Sequence, residues 1–172
     1  MNYLNLLIND IMNSRKTDFD KEIFMTIPTI TLMDAYMIET LFSKGVKKED
    51  FLHTMNEKNL DKYVHFDDSF DYSELSTSVQ GKESLFEEAI KKNQYAISYL
   101  TIGGLKNLLR IKYEFVEEKD YLLYDQKLEN LTVNQKQLKE IKALVSSAWR
   151  VIETDEKSNH SVTISILHVS IL

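Results

Sequence analysis

Tyr95-Ala96-Ile97-Ser98-Tyr99-Leu100-Thr101-Ile102-Gly103-Gly104-Leu105-Lys106-Asn107-Leu108-Leu109-Arg110-Ile111-Lys112-Tyr113-Glu114-Phe115 is the stretch that decides which fold this chain adopts. Its first eight residues are rich in β formers, Gly103-Gly104 has the chemistry of a tight turn, and Leu109, Ile111, Tyr113 and Phe115 alternate with charged residues. β formers before a Gly-Gly pair and period-2 alternation after it predict a β-hairpin with strands over 95–102 and 107–116. A third strand is expected over 120–126. The competing reading prolongs the preceding helix to Leu100, because Leu85, Ala89, Asn93, Ile97 and Leu100 also fit a helical stripe.

Outward from the hairpin the signals are helical. Upstream, Ser84-Leu85-Phe86-Glu87 is a capping box opening a helix that buries Leu85, Phe86, Ala89 and Ile90, with Asn93 as its C-cap. Downstream, Asn134 and Gln137 form a second box. Leu138, Ile141, Leu144, Val145, Ala148, Val151 and Ile152 then predict one long amphipathic helix over 135–152. A polar loop over 153–159 leads to an alternating strand, Val162 to Ile166. Its phase flips afterwards, which implies a bulge or burial on both faces.

In the N-terminal half, Leu4, Leu7, Ile8, Ile11 and Met12 predict an amphipathic helix over 3–14, and 23–27 reads as a short strand stopped by Pro28. Thr31 and Asp34 cap a helix that ends near Gly45. Glu49 and Asp50 start its partner, which gives a helical hairpin over 32–62. Residues 64–82 read as an acidic connector pinned by Phe66, Phe70, Tyr72 and Leu75. The expected architecture is α+β: a helical N-terminal half packed on an antiparallel or mixed sheet of about four to five strands. The 172 residues suit a single domain, with 1–63, 64–82 and 83–172 as its natural sub-divisions.

Composition narrows the function classes. The absence of cysteine removes thiolate metal sites, disulfides and thiol nucleophiles. No run of ~18 apolar residues exists and the N-terminus lacks a secretory pattern, so a cytoplasmic protein without a membrane partner is expected. His53, His65, His160 and His168 stand in no metal or triad spacing, and His65-Phe66-Asp67-Asp68 lacks the rest of a calcium loop, so no metal is expected. Glu87-Glu88 and Glu117-Glu118 point apart, Ser146-Ser147 has no nucleophile elbow, and Gly103-Gly104 belongs to no phosphate loop. Neither a cofactor nor a catalytic residue is assigned.

Charge is the one uneven feature. Residues 66–88 hold seven acids against one base, a surplus equal to the chain's whole net charge of −6. Residues 89–113 hold five bases and no acid, and 114–129 return to six acids against two bases. The expectation is a non-catalytic regulatory or inhibitory module. It would meet a basic protein surface through Phe66, Asp67, Asp68, Phe70, Asp71, Tyr72, Glu74, Glu87 and Glu88, aromatic anchors within a charged rim. The alternatives are a nucleic-acid-binding regulator and an enzyme with dispersed residues. The former would use a helix-turn-helix-like hairpin (35–55) and Lys106, Arg110 and Lys112 on the β-hairpin. In the former, Leu41 crowds the crossing and Glu49 and Asp50 oppose phosphate. A homo-oligomer through the apolar C-terminal strand is also expected.

Overall fold

The structure is a computed structural model that describes residues 27–145, 147–158 and 160–171. It is α+β, with helices in the N-terminal half and a four-stranded antiparallel sheet towards the C-terminus. The helical half is built on two βα units. Strand β1 (Thr29–Ile30) leads to helix α1 (Leu32–Ser43), and β2 (Ala96–Ile97) leads to α5 (Ile102–Tyr113). The two strands pair in parallel, Thr29 with Ala96 and Ile30 with Ile97. Each helix is opened by a threonine: Thr31 accepts from the Asp34 N–H in a capping box, and Thr101 accepts from the Gly104 N–H. Between the units come α2 (Lys48–Asn56), a 3-10 turn (Leu60–Tyr63), α3 (Ser73–Val79) and α4 (Glu83–Lys92).

The sheet order is β3-β4-β6-β5, from β3 (Leu122–Tyr124), β4 (Lys127–Asn134), β5 (Trp149–Ser158) and β6 (Ser161–His168). Helix α6 (Gln135–Leu144) follows β4, contacts β4, β6 and β2, and so joins the sheet to the helical half. The inner face is made by Leu128, Leu131 and Val133 opposite Ile166, Ile164 and Val162, each no more than 2% exposed. These residues and the helical core from Ile30 to Leu109 form one hydrophobic cluster.

Several expectations need correction. The β-hairpin over 95–116 does not form: only Ala96–Ile97 is strand, and Gly103-Gly104 lie in the first turn of α5. Leu105, Leu108 and Leu109 are fully buried and, with Lys112, form a helical stripe that packs on α1. Helical burial of those leucines outcompetes the weaker period-2 signal of residues 109–115. The rival extension to Leu100 does not form either, because Asn93 takes the left-handed conformation and ends α4 at Lys92.

The helix over 135–152 stops at Leu144, where Val145 turns extended, and Trp149 begins β5. Trp149, Val151 and Glu153 register with His168, Ile166 and Ile164, so pairing to the central strand overrides the helical stripe there. The polar segment 153–159 is accordingly strand through Ser158. The phase change after Ile166 comes from burial on both faces, with Leu167 5% exposed on the outer one. The bulges lie in β4 and β5, not in β6. Because β6 has β4 on one edge and β5 on the other, a second copy cannot pair along the C-terminal strand. The connector 64–82 contains α3, and the third strand shrinks to Leu122–Tyr124. Pro28 precedes β1 and supplies a carbonyl to the Ala96 N–H at 2.8 Å. Segment 3–14, and all of 23–27 except Ile27, lie outside the described residues.

Candidate functional site

The acidic segment is held by a file of seven rings. Phe42 meets Phe51 at 5.7 Å between centroids, and Phe51 stacks on Tyr63 at 5.9 Å. The file continues through Phe66 (6.2 Å), Tyr72 (5.9 Å) and Phe70 (6.2 Å), and Phe70 stacks on Tyr36 at 5.9 Å. It starts and ends on α1, so residues 63–72 are closed against the helical hairpin. Tyr72 is fully buried and Phe66 and Phe70 are half-buried against the core. The expectation of exposed rings is therefore corrected: these side chains supply core area, each worth about 1.5–3 kcal/mol when fully buried.

The seven acids of 66–88 divide into two groups. Asp67 accepts from Lys44 Nζ at 2.8 Å, from the Tyr72 hydroxyl at 3.2 Å and from the Ser69 N–H at 2.7 Å. Burial pulls the Asp67 carboxyl up, but the bonds from Lys44 and Ser69 outweigh it and hold it below the ordinary aspartate value. Burial, then the Asp67 charge, push the Tyr72 phenol well above its ordinary value. Glu87 and Glu88 pair one turn on with Lys91 (2.5 Å) and Lys92 (2.6 Å). The other four, Asp68, Asp71, Glu74 and Glu83, carry no ion pair among the described residues. Asp71 accepts from the Ser73 hydroxyl and N–H, which lower its carboxyl, while Asp68 and Glu74 stand exposed.

The basic residues expected to track a nucleic acid sit on α5, not on a hairpin, and do not form a platform. Lys106 pairs with Glu117, Arg110 is exposed, and Lys112 is buried against Glu39. Tyr95 is buried and Tyr99 is 80% exposed. At the α1–α2 turn Gly45 adopts a φ of 98°, and of Lys44, Lys47 and Lys48 the first pairs with Asp67 while Lys48 Nζ donates inward to Asn93 Oδ1 at 2.5 Å.

Sequence reasoning missed a buried polar network that joins α1, α2, α5 and α6. Glu39 Oε1 accepts from the Tyr95 hydroxyl at 2.7 Å and from Lys112 Nζ, whose two side chains are 7% and 5% exposed. Lys112 also donates to Asn93 Oδ1 at 3.3 Å and lies 5.2 and 5.8 Å from the Tyr95 and Tyr113 ring centres. The Tyr113 hydroxyl donates to Glu140 Oε2 at 2.7 Å. Burial and the neighbouring carboxylates push both phenols up, whereas burial, then the Lys112 ammonium, push Lys48 down. The signal was available in Glu39 and Lys112, charges that fall on apolar stripes. The network ties these helices together.

His53 pairs with Glu57 at 3.2 Å, His168 meets the Trp149 ring and the Ser170 hydroxyl, and His65 and His160 are exposed. Among the described residues no group of three or more His, Asp or Glu side chains could hold a metal ion, and no helix is long and apolar enough to cross a membrane. No protein-family model, no curated protein and no solved structure matches the chain.

Proposed function

We propose that the protein is a non-catalytic regulatory or inhibitory module that captures a basic partner protein through the carboxylates of residues 66–88. The observation that carries this reading is the contrast within that segment. Its rings are turned inward and fix the backbone, while Asp68 and Glu74 stand in solvent and form no ion pair among the described residues. Asp71, exposed and held by Ser73, extends the same charge. A pre-ordered acidic surface meets a basic one without first having to order itself, which speeds encounter and lowers the entropic cost of docking. The rings act here as the mount for the charges, not as the anchors that a partner grips.

The test is the double reversal Asp68→Lys/Glu74→Lys, which touches no hydrogen bond that the fold uses. Partners are captured from native-host extract with wild type and variant, and association rates to the recovered protein are then measured across a salt series. The expected result is a basic partner whose association slows about 10-fold or more in the variant at low salt, and whose salt dependence flattens. Equal capture by both proteins, with rates indifferent to salt, refutes the reading.

A further inference from the structure

The end of α2, the 3-10 turn, α3 and the start of α4 enclose an open cleft of about 170 Å³. Its floor is apolar: Met55, Leu60 and Val79 are 1%, 3% and 3% exposed. That volume is large enough for one branched aliphatic or phenyl side chain, since a cavity of about 150 Å³ accepts benzene. The rim carries one charge of each sign. Lys58 follows α2, Glu83 opens α4, and the Ser76 hydroxyl lies between the elements that bear them.

The two charges share the cleft without forming an ion pair. Glu83 Oε1 accepts instead from the Gly81 N–H at 3.1 Å. Its carboxyl is held below the ordinary glutamate value by its own and the Gly81 backbone N–H, and then by the Lys58 charge. A cation and an anion that face one apolar floor and leave each other unpaired match a ligand with both charges and one apolar group. We propose that this cleft binds a free α-amino acid with an apolar side chain. Its side chain lies on Met55, Leu60 and Val79, its carboxylate is directed to Lys58 and its ammonium to Glu83. This site is separate from Asp68 and Glu74, so it stands or falls independently of protein capture.

Affinity on the order of 1 mM is expected, because one small side chain is covered and both rim charges keep contact with solvent, Lys58 exposed and Glu83 partly so. The experiment is an amide chemical-shift titration of the full chain with L-leucine, L-leucinamide, N-acetyl-L-leucine and glycine. L-Leucine should move the amides of Leu60, Ser76 and Val79. Removing either ligand charge should weaken binding about 5-fold, the equivalent of an exposed ion pair of about 1 kcal/mol, and glycine should not bind. Lys58→Gly suits the left-handed φ of 55° and should erase the preference for L-leucine over leucinamide; Glu83→Gln should erase that over N-acetyl-L-leucine. Absence of shifts at about 20 mM L-leucine, equal binding of the three leucine compounds, or shifts confined to another surface each overturn the proposal.

Discussion

Replacing Lys112 by methionine isolates the energetics of the buried network. The substitution keeps the length and most of the apolar stem of the side chain, so the lost quantity is the ammonium. Glu39 is then left with the Tyr95 hydroxyl as its remaining bonded donor, in a site where its side chain is 7% exposed. Stranding a buried charge in this way costs about 3–5 kcal/mol. Changing Glu39 to methionine as well removes the stranded carboxylate and recovers most of that loss. It also deprives Tyr95 of its acceptor, so about 1–3 kcal/mol of destabilisation remains in the double variant. Adding Tyr95→Phe should bring the triple variant back to wild-type stability or beyond it, because nothing polar is then left unmet at that junction. Urea unfolding followed by Trp149 fluorescence reads wild type, the two single variants Lys112→Met and Glu39→Met, the double and the triple, and equal m-values confirm that one transition is being compared. A single Lys112→Met variant that loses under about 1 kcal/mol, or a double variant that loses the sum of the two singles, would refute the assignment of a desolvated, coupled pair.

Three further outcomes follow from the same structure. Tyr95 and Tyr113 bind their protons more tightly folded than unfolded, so the stability they confer is whole below the ordinary tyrosine value of 10.0 and is lost as pH rises above it. Urea midpoints should therefore fall between about pH 8 and about pH 11, and Tyr113→Phe should shrink the fall; a flat profile would contradict the burial of these phenols. Gly104→Ala should cost about 1–3 kcal/mol, because the added Cβ would lie 2.7 Å from Leu32 Cδ2 and 3.2 Å from Thr101 Oγ1. Gly103→Ala meets no atom within 4 Å and should raise the thermal midpoint by restricting the unfolded chain, a gain of about 0.4–1 kcal/mol.

Capping chemistry was the most legible feature of the sequence, because it acts over three residues and needs no tertiary partner. Thr31 with Asp34, Asn134 with Gln137 and the left-handed Asn93 stand where the sequence placed them. The Ser84–Glu87 box is the exception and does not form: α4 already begins at Glu83 behind Lys82, whose side chain caps nothing. The other misread boundaries are those set from afar. Gly103-Gly104 reads as a hairpin turn in isolation, yet Gly104 lies where α1 crosses α5 closely enough for Leu32 to occupy the space of a Cβ. Residues 145–152 keep a helical stripe, and only registration on β6 turns Trp149 into the first residue of a strand. In both places two periodicities coexist in the same letters, and the partner surface selects between them.

The acidic segment is ambiguous for a related reason. Aromatic rings among carboxylates have the same composition whether the rings face a partner or the core. Here the deciding residues lie outside the segment: Tyr36, Phe42, Phe51 and Tyr63 receive the rings, and Lys44 reaches Asp67 across 23 positions. Charge arithmetic over residues 66–88 could not separate the acids that neighbours neutralise from those that none approaches. Glu87 and Glu88 could have been set aside, because Lys91 and Lys92 follow each by four residues on one helix. Asp67 could not, since its cation comes from another element. The charge left for a partner is thus smaller than the sequence total, but it is carried by a backbone that the buried rings hold in one place.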